Sequence, residues 1–369
     1  MKIAMMGAWN TDSGASIHAE LVGREWVKKG IELKVYTFYR DSYHGTSITA
    51  SPEEEEEYVT RCFPVYPHQD IRKSDFSGIL NSDFDIFITQ DLGMLPMKYL
   101  LDIFPYVKKK ARTVTVIHDN KPSDKPEFFQ FAWDKVVCFD DRYFDFLKNK
   151  YPEEVISVIP YPAYPKRTGN RERARKELGL PRDKKIVLSF GQAAAYSVDT
   201  LMALDRVAKD HDILMLVVSR NSAAIESFGL VKGRPGFELR VLEEFLDHRT
   251  LFKYLHASDC LLYNKPASES AVVASTVFQC LGAGCPIVAR DSSFVYSFDR
   301  EVLKYRNYYE LEDCVRDVLE RGRRFREYQD AFDGYMEENG AHAVAGKFLQ
   351  LFDELLTGGR CPKEARDGS

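Results

Sequence analysis

Two stretches of strand–helix alternation, each opening on a short apolar strand, constrain this chain more than any other feature. Lys2 to Met6 reads as a buried strand, followed by the loop Ala8 to Ser16. Helical periodicity then runs from about Ile17 to Lys29, with Leu21, Trp26 and Val27 on its apolar side. Gly30 stops that helix and Ile31 to Phe38 forms the next strand, a βαβ unit that demands a parallel sheet with crossover helices. Strand-like runs recur at Ile86 to Ile88, Thr113 to Ile117, Val136 to Phe139 and Ser157 to Ile159. Between residues 160 and 183 the texture changes. Pro160, Pro162 and Pro165 precede the charged segment Lys166 to Arg173, the composition of a domain connection. The alternation then restarts: strands at Lys185 to Phe190, Ile213 to Val218, Phe237 to Val241, Cys260 to Tyr263 and Pro286 to Ala289, and helices at Asp199 to Lys209, Leu251 to Ala257 and Ser270 to Leu281. A mainly helical tail covers Tyr309 to Leu356. The 369 residues exceed what one hydrophobic core serves, so the expected class is α/β, with two doubly wound Rossmann-like domains facing across a cleft.

Composition narrows the function. The 51 Lys and Arg against 56 Asp and Glu give a net charge of −5, which excludes whole-surface nucleic-acid binding and predicts no nucleic-acid partner. The apolar run Ile213 to Val218 is far short of the roughly 18 residues of a membrane helix. Met1 to Gly7 breaks too soon for a signal peptide, so a cytoplasmic protein is expected. Cys62, Cys138, Cys260, Cys280, Cys285, Cys314 and Cys361 are scattered, with neither a C-x-x-C pair nor zinc spacing, and read as reduced core thiols. No metal site is predicted. Glu53 to Glu57 reads as a solvated loop or helix start, with a cation or partner site as the alternative. Met94 to Arg112 places Leu95, Met97, Leu100, Leu101, Phe104 and Val107 beside Lys98, Lys108, Lys109, Lys110 and Arg112. It reads either as a peripheral dock on anionic lipid, making the protein membrane-associated, or as a helix whose C-terminus is complemented by cations.

In open α/β sheets ligands bind beyond the carboxyl ends of the strands, which directs attention to four loops. Asp12-Ser13-Gly14-Ala15-Ser16 offers small residues and amides at a helix start, either a phosphate cradle or a plain turn. It is not G-x-G-x-x-G, and no G-x-x-x-x-G-K-[ST] occurs in the chain. His118 and Asp119 follow a strand rich in β-branched residues, which sets a polar tip at its carboxyl end. Gly191 and Gln192 follow the first strand of the second half, leading to Tyr196 and Ser197. Lys265 to Thr276 enters the predicted helix at Ser270, where Ser270, Ser275 and Thr276 could add hydroxyl contacts or serve as an ordinary serine cap.

With those residues in place, the whole chain resembles the retaining glycosyltransferases of two-domain GT-B architecture, of the family-four (glycosyl transferases group 1) type. The resemblance rests on Met1 to Phe38, on Val116-Ile117-His118-Asp119, on Val158-Ile159-Pro160-Tyr161-Pro162, on Ala257 to Tyr263, and most specifically on Gln279 to Ala289. Ala343 to Phe352 resembles the last helix, which returns to the first domain. The implied domains are an acceptor-side domain, 1–163, joined by the helix 342–357, and a donor domain, 164–341. The implied activity moves a hexose from a nucleotide diphosphate sugar to the hydroxyl of a glycan, lipid or small-molecule acceptor, with no cofactor besides that co-substrate. Ser13, Gly14 and Ala15 would approach the diphosphate, His118 would face the sugar or acceptor, the Ala274 and Ser275 amides would hold phosphate, and Gln279 would meet the ribose.

Departures from the family pattern are specific. Its two glutamates fall on Ala271 and Gln279, with Glu269 able to stand in for the first. Its arginine and lysine after Gly191 fall on Gln192 and Ser197. Charge-assisted contacts are about twice as strong as neutral ones, so the leaving diphosphate calls for other cations, and Lys265, Arg220 and Arg290 are the replacements on offer. Two alternatives stay open: a degenerate relative that binds a nucleotide or glycan without turnover, and an epimerase using Asp91, Asp119 and Glu269. A nicotinamide oxidoreductase is disfavoured by the missing glycine fingerprint.

Overall fold

The computed structural model describes residues 1–42, 48–65, 74–231, 233, 235–244 and 246–358. It divides into two compact units. The first holds Met1–Pro162 and the chain from Ala341 on; the second is Ala163–Gly340. Cys361 lies outside the described residues.

The first unit runs β1 (Lys2–Met6), α1 (Gly14–Lys28), β2 (Glu32–Phe38), β3 (Val59–Phe63), α2 (Ser77–Asn81), β4 (Ile86–Gln90), α3 (Met97–Lys110), β5 (Arg112–Val116), β6 (Lys135–Cys138), α4 (Asp141–Leu147) and β7 (Ile156–Val158). Its seven strands are all parallel, in the order β3-β2-β1-β4-β5-β6-β7. A parallel sheet is covered on both faces, so its central strands must be apolar throughout, and β4 is buried at every residue. The two buried threonines of the register pair Thr89–Thr115 satisfy each other by a 2.8 Å hydrogen bond.

The second unit runs α5 (Arg171–Glu177), β8 (Lys185–Phe190), a 3-10 stretch (Gln192–Thr200), α6 (Leu201–Val207), β9 (Ile213–Val218), α7 (Ser222–Val231), β10 (Glu238–Leu242), α8 (His248–Ala257), β11 (Cys260–Tyr263), α9 (Ser275–Leu281), β12 (Ile287–Arg290), β13 (Leu303–Tyr305), α10 (Tyr308–Leu319) and α11 (Arg323–Asn339). Its six-stranded parallel sheet is ordered β10-β9-β8-β11-β12-β13. The last helix, α12 (Ala341–Thr357), belongs to the first unit and packs on α1. Trp26 anchors it, donating Nε1–H to Ala345 O at 3.1 Å and meeting Phe348 and Phe352 edge-on.

Several expectations need correction. The helix expected from Ser270 begins only at Ser275, because the Ser270 amide is captured by Ser268 Oγ and the Ser275 amide turns back to Val273 O. Asp199 to Lys209 is a 3-10 stretch to Thr200 followed by a short α-helix. In the other direction, α1 begins three residues earlier than its apolar periodicity, since Ser13 caps it by accepting from the Ser16 amide. The acidic run is not wholly solvated: Glu55 pairs with Arg61 and Arg40, and Glu56 pairs with Arg24 while accepting from Trp9 Nε1. Around Met94 to Arg112, Lys110 Nζ donates to the carbonyls of Ile79, Leu80 and Ser82, Lys108 to that of Ala132, and Arg112 faces Asp134. Those three cations are tied into the fold. No described helix is long and apolar enough to cross a membrane.

Candidate functional site

Each sheet reverses its strand order once, between β1 and β4 in the first unit and between β8 and β11 in the second. At such a reversal the neighbouring loops diverge and leave a crevice beyond the carboxyl ends. Ser13, Gly14, Ala15 and His118 gather around the first; Gly191, Gln192, Arg220 and Lys265 gather around the second.

In the first unit the loop after β1 is held by a partly buried polar network. Asn10 sits at φ 53°, its amide donating to Glu20 Oε1 at 2.9 Å and its Nδ2 to Glu56 Oε2 at 3.0 Å. Arg24 bridges Glu20, Glu56 and the Asn10 side chain. Ser16 Oγ accepts from the Thr11 amide and donates to Glu20. The Ser13 hydroxyl, being the α1 cap and 3.0 Å from Thr11 Oγ1, is committed to the loop, and Gly14 O accepts from Tyr161 at 2.8 Å. Ala15 is buried, so its contribution toward a ligand is limited to its backbone.

The loops after β4 and β5 repeat one pattern: Phe87-Ile88-Thr89-Gln90-Asp91 and Thr115-Val116-Ile117-His118-Asp119, an apolar strand ending in a polar residue and an aspartate. Sequence reasoning found His118 and missed Gln90, although the echo was there to be read. It also missed His18, which lies on α1 with no distinguishing signal. Gln90 Oε1 is 2.9 Å from His118 Nε2 and 3.0 Å from His18 Nδ1. Burial pulls His18 down to about 3 against that hydrogen bond, and burial together with the His18 ring holds His118 well below the usual imidazole value. Gly7 is required here, because a Cβ on it would stand 2.6 Å from Gln90 Cβ. Asp91 Oδ1 and Asp119 Oδ1 both flank Gly93, 3.1 and 3.3 Å from where a Cβ would stand. Burial, then the Asp119 charge, pushes Asp91 up to about 7; burial raises Asp119. Of the three carboxylates named for an epimerase, Asp91 and Asp119 come together within the first unit, and Glu269 belongs to the second.

In the second unit Gly191 adopts φ 67°, ψ −151°, a region closed to side-chain-bearing residues, and so turns the chain straight off β8. Its carbonyl accepts from Ser219 Oγ at 2.9 Å and its amide donates to Val218 O. Gly191→Ala is expected to destabilise this unit by about 1–3 kcal/mol, read as a lower denaturant midpoint; an unchanged midpoint would show the turn relaxes freely. Gln192 and Arg220 are exposed. Lys265, just past β11, is half-buried with Nζ 4.1 Å from the Phe294 ring centre, and burial lowers it below an ordinary lysine. Among the described residues it has no carboxylate partner. Glu269 is exposed, between Ser268, whose amide donates to Ser293 Oγ, and Ser270. The amide expectation is revised at Ser275, whose N–H is already given to Val273 O at 3.1 Å, while Ala274 is the buried cap residue of a seven-residue helix. Gln279 Nε2 lies 3.2 Å from His248 Nδ1, so that end of its side chain is occupied within the unit.

No family model matches the chain. Solved structures do. A glycosyltransferase from Rickettsia africae ESF-5 is similar at a TM-score of 0.71 and 15% identity, covering 97% of this chain and 99% of that one. HepE of Anabaena in complex with UDP gives 0.66 at 11% identity, over 96% and 100%. Sucrose-phosphate synthase from Thermosynechococcus elongatus gives 0.64 at 14%, over 97% and 100%. The chain therefore has the GT-B fold of these enzymes, with two parallel sheets of seven and six strands.

Proposed function

We propose that this protein transfers a hexose from a nucleotide diphosphate sugar to an acceptor hydroxyl with retention at the anomeric carbon. The observation that carries the reading is Lys265, a half-buried ammonium with no carboxylate partner among the described residues, set at the strand-order reversal of the second unit. A cation that has given up part of its hydration and found no anion is matched to an anionic ligand, and the Phe294 face holds it without neutralising it. The glycine turn at Gly191 carries the chain directly off β8, and Arg220 lies two residues past the end of the adjacent strand β9. Departure of a diphosphate puts charge on oxygens that such a cation and nearby amides stabilise, with donor and acceptor held in orientation for the rest. The fold shared with a UDP-bound neighbour is consistent with a nucleotide in that unit.

The positions of Gln279 and Ser275 favour a second reading. Both have part of their donor capacity used inside the protein, as in a nucleotide binder that has lost turnover. One experiment addresses both. Thermal-shift titration with UDP, ADP and GDP and their glucose conjugates is expected to raise the melting temperature for one base. Lys265→Ala should weaken that ligand by about tenfold to a hundredfold, the loss of one charge-assisted contact. Mass spectrometry of the matched sugar nucleotide with an oligosaccharide pool should then show a glycosylated product. Unchanged affinity in the alanine variant sinks the assignment of Lys265; binding without product selects the second reading.

A further inference from the structure

We infer that Gln90 is a positioning residue that sets the proton of His118 on Nε2, so that His118 meets the transferred sugar or acceptor as a hydrogen-bond acceptor at Nδ1. This rests on His118 facing the sugar in the proposed reaction. The Gln90 side chain is fully buried at the end of β4, and its single carbonyl oxygen lies within hydrogen-bond distance of two imidazoles, His18 Nδ1 and His118 Nε2. An amide oxygen carries two lone pairs and accepts from both only if each ring places its N–H toward it. For a neutral imidazole that choice fixes the opposite nitrogen as a bare lone pair. Both rings stay neutral, since burial disfavours the charged form and their centroids are 5.2 Å apart.

Ring orientation is fixed as well. Phe139 packs edge-on to His118 at 5.0 Å and tilted to His18 at 5.3 Å, with Tyr161 and Phe348 closing around His18. His118 is only partly buried, and its Nδ1 has no partner among the described residues. A lone pair there recognises a hydroxyl and repels an oxyanion, which makes His118 a reader of sugar hydroxyls and not of phosphate. The arrangement sacrifices stability for geometry, because Gln90 Nε2 and His18 Nε2 are buried with no partner among the described residues.

The test is nitrogen-15 NMR of histidine-labelled full-length protein, correlating ring nitrogens with ring carbon-bound protons. His118→Phe and His18→Phe identify each set of signals. The expected result is a neutral Nε2–H tautomer for His118 and a neutral Nδ1–H tautomer for His18 from pH 5.5 to 8. Gln90→Leu should mix the His118 tautomers and lower kcat/KM at least tenfold. Gln90→Glu keeps an acceptor in place, so it should retain the His118 Nε2–H tautomer and recover part of the rate, while drawing imidazole titration into the measured range. A wild-type His118 with its proton on Nδ1 overturns the inference, as does an unaltered tautomer in Gln90→Leu. The wild-type spectrum needs neither substrate nor variant stability. The predicted tautomers with no transfer from any donor would therefore fault the proposed function and leave the positioning intact.

Discussion

Asp259→Ala is expected to cost the second unit about 3–5 kcal/mol and to lower its melting transition by roughly 10 °C. Asp259 immediately precedes β11, its side chain 7% exposed, beside Arg175 at 3%. Its Oδ2 accepts from Arg175 Nη2 at 2.9 Å and the Ile186 amide at 2.7 Å, and its Oδ1 accepts from Arg171. The Nε and Nη1 groups of Arg175 donate to the carbonyls of Ala257, Pro181, Arg182 and Lys184, so this one guanidinium joins α5, α8 and the chain entering β8. Removing the carboxylate leaves a buried cation whose other partners are all neutral, and the Arg175 carbonyl bonds hold it where water cannot replace the loss. The fold divides into two units with separate cores, so calorimetry should resolve which transition moves. Pairing the change with Arg175→Met should recover much of the loss, since a buried apolar replacement removes the stranded charge. A shift of the wrong transition, or one under about 2 °C, would show that the knot is peripheral to stability.

Most strands that sequence reasoning located carry continuous apolar runs, such as the central strands β8, β9 and β11, and the short edge strands β7 and β10 were read as well. It missed β3 and β13. Both are edge strands, and Val59-Thr60-Arg61-Cys62-Phe63 and Leu303-Lys304-Tyr305 carry the mixed polarity of a half-exposed strand. The start of α9 was misplaced because Val272, Val273 and Val277 extend the apolar spacing upstream, and periodicity cannot register that serine hydroxyls capture the backbone there. Local pattern also made Glu53 to Glu57 look solvated; Arg24, Arg40 and Arg61 reach Glu55 and Glu56 only through tertiary folding. For the site, small residues and a histidine after strands were legible because the carboxyl ends of a parallel sheet are defined by chain order. The Gln90–His18 partnership was not, since His18 reaches it across a helix–sheet contact spanning 72 residues.

Asp91→Asn is expected to reshape the dependence of stability on pH more than any other single change in the first unit. Asp91 is left-handed at φ 57°, ψ 85°, a conformation asparagine also tolerates, and its Oδ1 accepts from the Gly93 amide at 3.0 Å, a bond the amide oxygen of asparagine retains. The substitution thus preserves geometry and removes only the titration. In the folded protein, burial and the Asp119 charge raise Asp91 to about 7. The unfolded carboxyl titrates near 3.9, so between about pH 4 and 7 the folded state keeps a proton that the unfolded chain has released. Its contribution is fully present below about pH 4 and is lost as pH rises through 7, at a slope approaching 1.4 kcal/mol per unit. His18, lowered to about 3, acts with the opposite sign, because the unfolded ring binds a proton below about 6.5 that the folded ring refuses. The two slopes oppose each other in the wild type, and the asparagine variant leaves only the histidine slope. Melting temperatures from pH 4.5 to 8.5 should therefore nearly coincide at the acid end and diverge upward for the variant, by about 2–4 kcal/mol at pH 8. Parallel curves would mean that Asp91 ionises as an ordinary carboxyl and that the pair flanking Gly93 is open to water; divergence would establish that Asp91 holds its proton up to about pH 7.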